Sequence, residues 1–194
     1  MPNPDPFGTR LEWMVAPLIN EFCNPRHFER MVGSQEAHIA YLQAVYGAMH
    51  ETYCFIDWEL LELQGLPRIE EHKSVVRSLA SDLVALSGLP SYGRALENPS
   101  VLPTYGVSIG MLFCLTEGTR AARRTAKLAA RVLPEPLGSL ETSNGMPAVD
   151  YISLRQSLVD WVNGLLLRQG DKMEASLSAK ACVAFARRHF SKLS

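Results

Sequence analysis

The chain has 194 residues, nearly half of them hydrophobic, enough for one domain spanning 1–194 with a substantial core. Acids and bases nearly cancel to a formal net charge of −1, which removes the electrostatic footprint expected of a binder of nucleic acid or of an anionic membrane. No apolar run reaches bilayer-spanning length, the opening Met-Pro-Asn-Pro-Asp-Pro-Phe-Gly lacks the order of a signal peptide, and the four cysteines stand singly among apolar neighbours; a soluble, cytosolic protein with reduced cysteines is expected.

The first predicted helix covers 10–22, with Thr9 as its N-cap and Leu11, Met14, Val15, Leu18 and Phe22 at helical spacing. Cys23-Asn-Pro-Arg26 breaks it, a short turn carries Phe28, Met31 and Val32, and Gly33-Ser34 opens the next element. From 35 to 64, Ile39, Leu42, Val45, Met49, Tyr53 and Ile56 trace one long amphipathic helix closed by Gly65-Leu-Pro67. A helix over 69–87 repeats the pattern with Val76, Leu79, Leu83 and Leu86. A polar connector over 89–103 leads to an apolar helix from Tyr105 to about Val132, and a second long loop spans 133–147. Helices over 149–168 and 172–192 complete the chain, the last opened by the capping-box pattern Asp171-Lys-Met-Glu174. No period-two strand is found. The predicted fold class is all-α, an irregular multi-helix bundle packed around the helix that contains Gly118.

That helix holds the most informative residue of the chain. A glycine inside a helix costs about 1 kcal/mol relative to alanine, and the usual compensation is close approach of something to the backbone. At 3.6 residues per turn, Met111, Cys114, Leu115, Gly118, Ala121, Ala122, Thr125 and Ala129 share one face, while Arg120, Arg123, Arg124, Lys127 and Arg131 fall opposite. The face is nearly flat at its centre. Such a floor suits a planar aromatic ligand or a tightly crossing helix, and close packing is the commoner use.

Three segments resemble the bacterial haem oxygenase family. Ser108-Ile-Gly-Met-Leu-Phe-Cys-Leu-Thr-Glu-Gly-Thr119 has the cadence of the family's distal Ala-Leu-Gly-x-Leu-Tyr-Val-x-Glu-Gly-Ser segment. Arg77-Ser-Leu-Ala-Ser-Asp-Leu-Val-Ala-Leu-Ser-Gly88 is similar to its Asp-Leu-x-x-Leu-Gly helix end, and Ala179-Lys-Ala-Cys-Val-Ala-Phe185 to its C-terminal Ala-x-x-x-Phe helix. The resemblance covers about 10–192. It implies haem held between an N-terminal proximal helix and a glycine-bearing distal helix, and oxidative cleavage to biliverdin, carbon monoxide and iron with electrons from a partner reductase. On that reading Gly118, Thr119 and Ala122 form the distal floor at the reacting oxygen, and Asn20, Glu117, Arg120, Ala121 and Arg124 border the tetrapyrrole. No structural metal is implied.

Two positions depart from the family pattern. Pro17-Leu18-Ile19-Asn20 offers isoleucine or asparagine where relatives place the proximal histidine, which leaves His27 as the candidate haem-iron ligand, or else as a polar residue of its turn. The family's further glycine is Ala121 or Ala122 here, which still keeps the floor low. His38, His50 and His72 accompany acids in Glu36-Ala-His38, His50-Glu51 and Glu71-His72, but immediate neighbours diverge by about 100° on a helix, and none of the three has the Glu-x-x-His spacing of di-iron bundles. A non-haem member of the same superfamily, metal-dependent or thiaminase-like, is the alternative function, and a non-catalytic interaction protein the third. The arginine stripe reads as a solvated face, or as a dock for an acidic electron donor. Arg187-Arg188-His189 offers a second carboxylate-binding candidate, and is likewise more often surface. Trp13, Trp58 and Trp161 are expected in the core or at its rim. No nucleophile motif, phosphate loop or paired cysteine and histidine is found.

Overall fold

The computed structural model describes residues 6–22, 34–86, 103–129 and 150–191, and every regular element among them is helical. In chain order these are α1 (Phe7–Val15), α2 (Leu18–Phe22), α3 (Gln35–Cys54), α4 (Trp58–Leu63), α5 (Ile69–Ala85), α6 (Tyr105–Ala129), α7 (Tyr151–Gly164) and α8 (Gln169–Phe190). The expected all-α bundle is what forms. His27, the turn around Phe28 and most of both long connectors lie outside the described residues.

Two expected helices are divided, each for a local reason. Pro17 has no N–H to continue the ladder, so α1 ends at Val15 and the chain re-enters a helix through short-range bonds, Ile19 N–H to the Ala16 carbonyl (3.2 Å) and Asn20 N–H to that of Pro17 (3.0 Å). Thr9 lies inside α1 rather than capping it, because the helix starts at Phe7. The long helix of 35–64 stops at Cys54. Asp57 then caps a new helix by accepting the Leu60 N–H at 3.0 Å, while its own N–H donates to Ser108 Oγ on α6 at 3.0 Å. Apolar spacing runs straight across this break, so periodicity alone does not reveal it.

Other ends follow the sequence signals. Ser34 Oγ caps α3 through the Ala37 N–H (3.1 Å). Gly65 adopts φ 74°, and the bonds Gly65 N–H to Glu62 carbonyl and Leu66 N–H to Leu61 carbonyl close α4 as a Schellman motif. Asp150 caps α7, and Asp171 accepts the Arg168 N–H at 3.0 Å. The acid is therefore the third helical residue, and α8 begins at Gln169, three residues before its expected start.

α6 packs against each of the other seven described helices, most extensively α8. It is buried on all sides from Ser108 to Thr119, not only along the face that helical spacing picks out. α2 lies against both α6 and α8, α3 joins α5, α6 and α8, and α5 rests chiefly on α3 and α6. Leu11, Val15 and Leu18 from the N-terminal segment meet Leu112, Leu115, Leu158 and Ala179 in one core. Trp58 and Trp161 sit at its rim as expected; Trp13 does not, being 73% exposed on α1. Among the described residues no helix is long and apolar enough to cross a membrane.

Candidate functional site

The small residues of α6 form a row along α8. A Cβ added at Gly106 would lie 2.5 Å from the Asp171 carbonyl oxygen and 2.8 Å from Glu174 Cβ, and one at Gly110 would overlap Ser178 Oγ and the Ala175 carbonyl. One turn on, the Cys114 thiol donates to the Ala179 carbonyl at 3.5 Å. Steps of four on α6 thus meet steps of four on α8, which lets two backbones approach with no side chain between them. Burial and the neighbouring Cys182 push the Cys114 thiol well above its usual range, so this contact is an inert seam. By helical spacing the same row continues through Gly118 and Ala122, both of which are buried.

The predicted floor residues occupy the middle of this helix. Thr119 is 1% exposed and turns its hydroxyl back to the Leu115 carbonyl at 2.6 Å; Ala121 is fully buried. Glu117, predicted to flank the floor, is buried at its side, and Arg120 folds onto it with Nε and Nη2 at 3.1 and 2.5 Å from the two carboxylate oxygens. The pair is bidentate and charge-assisted, so Arg120 is not the freely solvated member of a stripe that the sequence suggests. Arg124 is exposed. Asn20 is exposed on α2, and His27 lies outside the described residues. The structure therefore brings Glu117 to Ala122 together on one helix, with Asn20 on a neighbouring one.

On the α5 side a different arrangement appears. His72 is 1% exposed, with Nδ1 at 3.2 Å from Thr116 Oγ1. That hydroxyl spends its proton on the Leu112 carbonyl (2.9 Å), so Nδ1 carries the hydrogen and the Nε2 lone pair faces inward with no partner among the described residues. Burial pulls His72 down to about 4, against a smaller upward pull from Glu71. His38 on α3 is equally buried, has neither ring nitrogen partnered among the described residues, and is pulled down to about 4 by burial alone. Both are neutral at pH 7.

Sequence reasoning flagged both histidines for nearby acids and missed the burial of His38 and the partner that holds His72. The Thr116 partner is 44 positions away in the chain, and no local signal encodes it. A signal was present for Cys54, four residues after His50, whose Sγ comes within 3.8 Å of Nδ1; burial and Glu51 raise the thiol, so the pair is no activated nucleophile. Glu51 itself receives Arg188 (2.8 Å) and His189 (2.9 Å), a clamp between α3 and the end of α8 that occupies two of the three residues considered for carboxylate binding. The third, Arg187, bonds Glu21 at 2.7 Å. Among the described residues no group of three His, Cys, Asp or Glu is placed to hold a metal ion. Comparison with protein-family models, curated proteins and solved structures finds no match to the chain.

Proposed function

We propose that this protein binds haem or a related tetrapyrrole against α6 beside Gly118, as the resemblance of 108–119 to the haem oxygenase distal segment implies. The observation that carries this reading is the packing of α2 on α6. On the resemblance, α2 stands for the family's proximal helix and α6 for its distal helix, the two elements between which that family holds haem. Gly118, Ala121 and Ala122 bring little or no side chain, and Thr119 folds its hydroxyl onto its own helix, so this stretch presents main chain to a neighbour.

The described residues do not complete an iron site. Asn20 is a neutral amide, while His38 and His72 are sealed in the interior. The axial ligand in this reading is His27, and no chemical step is assigned to the described side chains. Oxidative cleavage to biliverdin, carbon monoxide and iron is the further step of the same reading. It requires a cytosolic electron donor, for which the exposed Arg124 is a docking cation.

Titration with hemin tests the proposal: a Soret band saturating near one hemin per chain and lost in His27→Ala is expected, followed by bilin bands on adding reductant and air. A spectrum that stays that of free hemin overturns the binding. Unchanged bound haem after several electron equivalents overturns cleavage and leaves binding standing.

The fit of Gly106 and Gly110 against α8 favours a second reading, in which the whole row serves packing and the protein acts by interaction alone. Stoichiometric iron in colourless protein would instead point to the non-haem branch of the superfamily.

A further inference from the structure

We propose that His72 is an acid-sensitive latch that holds α5 to α6. α5 rests chiefly on two helices, α3 and α6, and among the described residues the His72–Thr116 hydrogen bond is one buried polar link between α5 and α6. The Thr116 hydroxyl proton is committed to the Leu112 carbonyl, so the latch closes only with hydrogen on Nδ1 and a bare Nε2. Protonation would place an N–H on Nε2 in a spot closed to water, where no acceptor stands among the described residues. A buried charge without a partner is among the costliest defects a helix interface can carry, and the least expensive relief is for α5 to swing away and hydrate the ring.

Among the described residues, the charges that act on His72 are already paired. The charges acting on His72 are those of Glu71 and Arg68, and Arg68 grips Glu71 through both carboxylate oxygens at 2.6 and 2.5 Å. From α6, Glu117 is held by Arg120; from α3, Glu51 is held by Arg188 and His189, and His38 is itself buried and uncharged. A histidine whose folded-state value lies near 4, against 6.5 when free, contributes stability that is complete above 6.5 and is lost as pH falls towards 4. The link is thus closed at neutral pH and loosened in mild acid.

Native-state hydrogen exchange tests this on the intact chain. Corrected for intrinsic rates, the opening constant of α5 amides is expected to rise about 30-fold between pH 7.5 and 5, ahead of α8 amides, and less than about threefold in His72→Gln, whose amide can still meet Thr116 without titrating. An equal rise in that variant, or a flat wild-type profile, overturns the latch. Should His72→Gln fail to fold, the ring titration of His72 in the wild-type protein decides by NMR: a midpoint near 4 supports the proposal and one above 6 overturns it.

Discussion

The two sides of α6 solve the same packing problem in opposite ways. Towards α8 the helix removes its side chains, and Gly106 and Gly110 let carbonyls of the neighbour come nearly into contact with its own backbone. Towards α5 it keeps full-sized residues and buries an imidazole whose hydrogen bonding is half complete. The first side sets backbone against backbone, while the second carries an imidazole nitrogen with no partner among the described residues. Stability should therefore fail by steric overlap on one side and by protonation on the other.

The largest effect is expected at the seam. Gly110→Ala puts a methyl group into Ser178 and the Ala175 carbonyl, and backbone cannot yield as a side-chain tip can. Overpacking of about 3 kcal/mol, less the ~1 kcal/mol that alanine gains as a helix former, leaves a net loss of about 2 kcal/mol in urea unfolding. A neutral outcome would show that α6 and α8 stand further apart. The next effect is electrostatic. His38→Leu removes a group that must charge on acid unfolding, so its stability relative to the wild type should rise by about 1.8 kcal/mol as pH falls from 7 to 5. Parallel pH profiles would mean that His38 already has a partner. The smallest is the cap at the divided helix: Asp57→Ala should cost about 1 kcal/mol, and a loss well beyond that would mean that the turn at Ile56, and not the cap alone, fixes α4 on α6.

Much of this fold is legible in the residues. Ser34 and Gly65 act as helix-end signals as their types predict, Asp171 marks the start of α8 but as its third residue and not its cap, and the apolar run at 106–115 marks the central helix. The breaks at Pro17 and Asp57 are harder to read, because apolar residues keep helical phase on both sides and the reward for bending, such as the bond from Asp57 to Ser108, comes from another helix. The candidate site is legible only in part. Gly118 and its small neighbours are visible as a flat stretch, whereas the capture of Arg120 by Glu117 depends on which rotamers the surrounding packing permits, and the His72–Thr116 bond exists only once α5 meets α6.

The central claim is that the missing side chain at position 118 serves a guest and not α8. Unfolding of Gly118→Ala, measured with and without hemin, tests it most directly. The account predicts that the variant is as stable as the wild type or gains up to about 1 kcal/mol from helix propensity, while its hemin affinity falls about tenfold or more. A loss comparable to that of Gly110→Ala, with hemin making no difference to either protein, would contradict it.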